Sequence, residues 1–184
     1  MQDRTFKGDI NKLRSPQRVK MLEIERVVEL CLETLFVTRV LDVGSGSGLF
    51  AEAFALRNLE VMGIDKNPQF IKTAADTVLD ARFREASAEK LPFQDKSYDL
   101  VFLGHLLHES NDPLAVLQEA ARVAVLRVAV LEWPYLEEES GPPLEHRMKS
   151  EDIVKLARKA GLTDVKKIKM EHMILYRMRP KLKL

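Results

Sequence analysis

The chain has one cysteine, Cys31, in 184 residues, which excludes an internal disulfide framework. It has only four histidines (His105, His108, His146, His172), none with cysteine or carboxylate partners at metal-ligand spacing, so no structural metal is expected. It lacks any uncharged apolar run near the roughly 20 residues of a membrane span. Its first residues, MQDRTFKGDINK, alternate charge where a secretory signal would be apolar, and together these absences predict a cytoplasmic protein without a membrane segment. Charge of one sign is also missing: the formal net charge is +1, giving no global attraction to nucleic acid or anionic lipid. Neither internal repeats nor low-complexity segments occur.

What is present is enough apolar material, 46% of the residues, for one sizeable core. A single domain is expected over 1–184, with a helical cap (1–37), a core (38–133), an acidic loop (134–149) and a terminal helix with a strand hairpin (150–184). Strand-like runs fall at Arg39–Val43, Glu60–Ile64, Ala81–Arg84, Tyr98–Leu103 and Arg127–Glu132. Helical segments, Leu49–Arg57, Pro68–Leu79 and Pro113–Val123, alternate with them, the pattern of right-handed βαβ crossovers over a parallel sheet. Ahead of the sheet, Ser15-Pro16 marks a helix start, and Ile24, Val27, Val28, Cys31 and Leu35 recur at helical spacing. Cys31 falls on that stripe as inert packing. After it, Ser150 is expected to cap a helix, Glu151–Ala160, that Gly161 ends; Thr163–Met170 and His172–Met178 form an antiparallel hairpin at one sheet edge, and RPKLKL frays.

The chemistry concentrates in VLDVGSGSGLF, Val40 to Phe50. A strand running through a glycine turn into a helix brings backbone close to a ligand and aims N–H groups at one place. The spacing Gly44-Ser45-Gly46-Ser47-Gly48 is not the dinucleotide fingerprint, because Leu49 stands where its third glycine falls, and this counts against a dehydrogenase. The second strand ends in Asp65, twenty-one positions after Gly44, where an acid can accept hydrogen bonds from ribose hydroxyls. Glycine turn and acid together point to an adenosine-containing ligand.

Adding Ala88-Glu89-Lys90-Leu91-Pro92-Phe93 and Ser97-Tyr98-Asp99-Leu100-Val101, in that order, makes Val40 to Trp133 resemble the class I S-adenosylmethionine-dependent methyltransferases. The resemblance is particularly to the group related to the ubiquinone and menaquinone-biosynthesis methyltransferases. The resemblance implies a Rossmann-like, doubly wound α/β fold: a seven-stranded sheet, mostly parallel with an antiparallel last strand, helices on both faces. It implies S-adenosyl-L-methionine as cofactor and S-adenosyl-L-homocysteine as product. The turn Gly44, Ser45, Gly46, Gly48 would hold the methionine moiety, with Asp42 fixing the turn. Asp65 would hold the ribose, Lys66, Ser87, Ala88 and Glu89 would flank the adenine, and Leu103 and Gly104 would lie near the methionine chain. Ser87 departs from the family's aspartate and offers the adenine amino group one acceptor. The connection Arg122 to Val128 is shorter than the family's, a trimmed turn away from the cofactor.

Methyl transfer is an in-line displacement that depends on alignment, with a base needed only where the acceptor must lose a proton. His105 and His108, after the fourth strand, are the candidate bases, followed by Glu109. Trp133 either walls the acceptor pocket or covers the core beneath the acidic loop. The N-terminal helix, with Arg14, Arg18 and Lys20, and the loop Pro134–Arg147 could together form a lid; both are short, which favours a small acceptor. Methylation of RNA or protein is an alternative, through a basic stripe of Lys166, Lys167, Lys169, Arg177, Arg179, Lys181 and Lys183, although the stripe lacks interleaved aromatics. A non-catalytic cofactor-binding partner subunit is another.

Overall fold

A computed structural model describes residues 13–138 and 140–181. The opening dodecapeptide and the last three residues, including Lys183, lie outside the described residues; of the tail expected to fray, Arg179 and Pro180 instead complete the last strand, paired with Thr163 and Leu162.

Each helix start that carries proline reads locally. Ser15 precedes α1 (Pro16–Met21), Asn67 precedes α4 (Pro68–Thr77) and Asp112 precedes α5 (Pro113–Val123). Their side chains accept N–H groups of Arg18, Gln69 and Ala115 respectively, occupying donors that the first turn leaves free. The N-terminal stripe does not form one helix. Glu23, with φ 46°, breaks it into α1 and α2 (Ile24–Leu32), and Leu35 lies beyond the end. Gly161, at φ +82°, ends α6 (Ser150–Lys159) as expected, but Ser150 is not its cap. Its hydroxyl instead meets the Tyr176 hydroxyl at 2.8 Å.

The strands are β1 (Arg39–Val43), β2 (Glu60–Asp65), β3 (Arg82–Glu85), β4 (Tyr98–Gly104), β5 (Ala124–Glu132), β6 (Leu162–Lys169) and β7 (Ile174–Pro180). They form one seven-stranded sheet in the order β3-β2-β1-β4-β5-β7-β6. Neighbours are parallel except at β7, which runs antiparallel to both β5 and β6. The chain passes from α5 into β5 with no intervening residue, the trimmed connection taken to its limit. The terminal hairpin does sit at the edge, with β7 inserted next to β5.

Strand alternation divides the core. Val40, Leu100 and Phe102 face α2 and α3 (Leu49–Ala55), where Phe102 packs between Phe50 and Phe54 with ring centroids 4.6 and 5.6 Å away. Leu41, Val43, Val101 and Leu103 face Leu117, Val116 and Ile153 of α5 and α6. Burial of this apolar area on both sheet faces is the main stabilising term, and it fixes the register that brings the C-terminal ends of β1, β2 and β4 to one edge. Cys31 is fully buried in the first half of the core, its thiol pushed up to about 12 by burial, which matches the inert role. Arg177 is also buried. It donates to the Leu30 carbonyl at 2.6 Å and pairs with Glu33, capping the end of α2 alongside Arg127, so the proposed basic stripe is broken at that position.

Candidate active site

The glycine turn between β1 and α3 holds itself together with its own N–H groups. Those of Gly44 and Ser45 both donate to the Ile64 carbonyl at 2.8 Å, Gly48 donates to Ser45 O at 2.8 Å, and Gly46 donates to Asp65 Oδ2 at 3.0 Å. The expectation that these groups await a ligand is therefore corrected: their bonds tie β1 to the end of β2. What the turn supplies is space. Gly44, Gly46 and Gly48 all have positive φ, and a Cβ on Gly44 would stand 2.9 Å from Leu106 Cδ1. Among the described residues, only Leu13, at 3.8 Å, comes within reach of a Cβ at Gly46.

A cavity of about 240 Å³ opens above the turn. Asp42, Gly44, Ser45 and Gly46 line one side, Asp65 and Lys66 another, Ser87, Ala88 and Glu89 a third, with Gly104 and His105 closing it. Gly48 and Leu103 do not line it. Gly48 packs against Phe83, Ala74 and Val78, and Leu103 is fully buried in the core.

Asp42 is not bonded to the turn. Its carboxylate takes a backbone hydrogen bond from Ala51 in α3, while Oδ2 is buried with no partner among the described residues, as is the hydroxyl of Ser45. Burial pushes the Asp42 carboxyl up to about 7, opposed by the Ala51 bond and reinforced by the Asp65 charge. Asp65 accepts the Gly46 N–H on Oδ2 and the Asn67 N–H on Oδ1 at 2.9 Å, with the Lys66 N–H bonded to it as well, so its orientation is set beside the cavity. Its pKa is raised, chiefly by burial. The Ser87 hydroxyl accepts the Glu89 N–H at 3.2 Å, and Glu89 Oε1 accepts from the Asp112 N–H at 3.3 Å.

The two histidines separate. His105, at φ +57°, lines the cavity, and its Nε2 lies 3.2 Å from Met173 Sδ. A thioether only accepts, so the proton is assigned to Nε2, leaving Nδ1 as the basic nitrogen. Burial, with Arg18 and His108 adding, holds the His105 pKa well below 6.5, so the ring is neutral at physiological pH. His108 does not line the cavity. It is buried against Glu132, Nδ1 to Oε2 at 2.8 Å, at the end of β5.

The N-terminal segment covers the cavity: Arg14 donates to Ser47 O at 2.9 Å and pairs with Glu52, while Leu13, Arg18 and Leu22 join the lining. The other half of the expected lid does not. Loop 134–147 folds over buried Arg147, which donates to the carbonyls of Leu136 and Ser140 at 2.7 Å and Pro142 at 2.9 Å. Trp133 lies beneath, 5.2 Å from the Arg147 guanidinium and 5.5 Å from the His105 ring, as a core cover and not as a cavity wall.

Residues 41–126 match the family of methyltransferase domains. Over that stretch the chain is similar to methyltransferase domains. Among curated relatives, the uncharacterized methyltransferase YcgJ of Bacillus subtilis is 34% identical over 90 residues, 46% of this chain and 36% of that protein. A demethylmenaquinone methyltransferase of Thermotoga maritima is 33% identical over 101 residues, 54% of this chain and 44% of the relative. The chain thus spans less than half the length of these relatives. The fold extends further: a crystal structure of an S-adenosylmethionine-dependent methyltransferase from Aquifex aeolicus superposes with TM-score 0.84, covering 94% of this chain and 98% of that one at 24% identity.

The cofactor of this class, S-adenosylmethionine, meets suitable groups here. The chain offers its ammonium a buried carboxylate oxygen, Asp42 Oδ2, with no partner among the described residues, and its ribose the oriented carboxylate of Asp65. The bonds made by the Gly44, Ser45, Gly46 and Gly48 N–H groups reduce what the turn can donate to the amino-acid carboxylate. Arg18 can serve it: a half-buried guanidinium lining the cavity, with no ion-pair partner among the described residues. Its pKa is lowered by burial against the raising effect of Glu109. Sequence reading placed Arg18 in a lid without singling it out, since only the fold shows which basic residue of α1 turns inward. Phe70 and Leu106 were missed as apolar walls; their one trace is that each lies a few residues from a motif already marked.

Proposed function

We propose that this protein transfers the methyl group of S-adenosylmethionine to a small-molecule acceptor by in-line displacement. The observation that carries the reading is the convergence of the glycine turn, Asp65 and Ser87–Glu89 on one cavity at the C-terminal ends of β1 and β2, where open α/β sheets bind ligands. When bound, the cofactor supplies a sulfonium-activated methyl group. Asp65 would accept the ribose hydroxyls, Arg18 and Asp42 would hold the two charged ends of the amino-acid moiety, and Ser87 would present its hydroxyl to the adenine edge. His105 would accept the acceptor's proton on Nδ1, a role its neutral state permits across physiological pH. The apolar surfaces of Leu13, Leu22 and Leu106 would exclude water from the reacting groups.

The name of the Thermotoga maritima relative, demethylmenaquinone methyltransferase, supports a small-molecule acceptor. Burial of Arg177 weakens the nucleic-acid alternative by removing a cation from the hairpin surface. The test is transfer of labelled methyl from S-adenosylmethionine to a panel of hydroxylated aromatics and quinols, with RNA and peptides as parallel acceptors. Label in a small molecule and not in polymer supports the reading; label in RNA or peptide alone overturns it.

A further inference from the structure

Glu132 is the last residue of β5, 1% exposed, and lies outside the cavity. Its carboxylate nevertheless makes three contacts with one short segment. Oε1 accepts the Leu107 N–H at 2.9 Å and the His108 N–H at 3.3 Å, and Oε2 meets His108 Nδ1 at 2.8 Å. That segment, Gly104 to Asn111, leaves β4 through the left-handed His105 and a single 3-10 turn at Leu107–Glu109. Six of its residues line the cavity: Gly104, His105, Leu106, Glu109, Ser110 and Asn111. The two that do not, Leu107 and His108, are the two that Glu132 grips. A buried carboxylate with three donors aimed at it is well satisfied, and it holds a strained stretch that has only a single helical turn of its own.

We propose that Glu132 is a positioning residue for the methyl-donor cavity, acting through its clasp on Leu107 and His108 to hold the lining segment Gly104–Asn111 in its binding shape. The inference rests on the cavity being the cofactor site. The clasp is strongest while His108 carries its proton. Burial opposes that charge, but the Glu132 carboxylate and hydrogen bond, with Glu109 at 3.8 Å, outweigh it, so the His108 pKa lies above 6.5. The other titratable or charged groups that face the pair are Arg147, which opposes the His108 charge, His105, which His108 influences, and Tyr176 of β7, which Glu132 influences. As pH rises through the His108 value the ion pair is lost, Glu132 is left as a buried charge, and the grip on the segment weakens.

The experiment compares the full chain with Glu132→Gln, which keeps the shape and an acceptor oxygen but removes the charge. S-adenosylhomocysteine affinity is measured calorimetrically from pH 6 to 9, and amide exchange is followed in residues 104–111 and in β1. Expected are a roughly tenfold weaker affinity at pH 7, displacement of the wild-type alkaline loss of affinity toward lower pH, and faster exchange confined to 104–111. Wild-type affinity, pH profile and exchange in the variant would overturn the proposal. If the wild-type chain binds no S-adenosylhomocysteine, the cofactor reading fails by itself, and the exchange comparison still decides whether Glu132 holds the segment. Should Glu132→Gln not fold, His108→Gln, which removes the ring cation and leaves both amide bonds, is judged by the same measurements.

Discussion

Replacing Asp42 by Asn should make the ligand-free protein more stable at pH 8 and worse at binding its cofactor. Asp42 is 2% exposed, has one oxygen without a partner among the described residues, and has its carboxyl pushed from an ordinary 3.8 to about 7 by burial. A folded-state pKa raised above the unfolded one means that the native state holds a proton the unfolded chain has released. The contribution of this group to stability is therefore full below about pH 4 and is lost as pH rises through about 7. The ionised form carries a penalty of roughly 4 kcal/mol above that range. Asn keeps an oxygen for the Ala51 N–H and never ionises, though its amide N–H groups also need partners, so a net gain of about 2 kcal/mol at pH 8 is expected. Asp99 and Glu119 have depressed values and impose the opposite pH dependence on the whole protein, so the quantity to read is the difference between variant and wild type. Urea unfolding at pH 5 and pH 8 supplies it: near equality at pH 5 and a more stable variant at pH 8. Binding should reverse the order, because a cationic ammonium placed at Asp42 draws out its proton. The ratio of wild-type to Asp42→Asn affinity for S-adenosylhomocysteine should grow from pH 6 to pH 8, the dependence on His108 being common to both proteins and cancelling in the ratio. Equal pH dependence of stability in the two proteins would refute the reasoning.

Arg18→Met should weaken S-adenosylhomocysteine binding roughly 10- to 100-fold, the worth of a charge-assisted carboxylate contact, while leaving adenosine affinity unchanged; calorimetry with both ligands separates the two. Gly48→Ala should lower stability by about 1–3 kcal/mol in denaturant titration, since the position has φ +77° and a Cβ there would lie 3.0 Å from Phe83 Cζ and 3.2 Å from Ala74 Cβ.

The features legible in the sequence are those fixed by neighbours in the chain. Apolar runs gave the core strands to within a few residues, because a strand buried on both faces needs little else, and proline after Ser15, Asn67 or Asp112 marked helix starts whose caps are local. The pairing of the glycine turn with Asp65 was legible because adjacent parallel strands end together, and the structure joins them through the Gly46 N–H. What was not legible depends on partners distant in sequence. Ser150 has the chemistry of a cap, but Tyr176, 26 residues later, claims its hydroxyl. Arg177 looked like a surface cation until β7 was placed between β5 and β6, which turns it toward the end of α2. His108 was marked beside His105 as a candidate base, and only the arrival of Glu132 from the next strand shows why it turns away from the cavity. The turn's N–H groups were assigned to a ligand because sequence spacing cannot show that Ile64 O takes two of them.

The central claim is that one cavity, built from the glycine turn and Asp65, holds S-adenosylmethionine. Calorimetric titration of the full chain with S-adenosylmethionine and S-adenosylhomocysteine, with NAD as control and Asp65→Ala as second sample, tests it most directly. The account predicts binding of both sulfur ligands, no binding of NAD, and loss of affinity by at least tenfold in the variant. Binding of NAD in place of the sulfur ligands, or undiminished binding by Asp65→Ala, would contradict it.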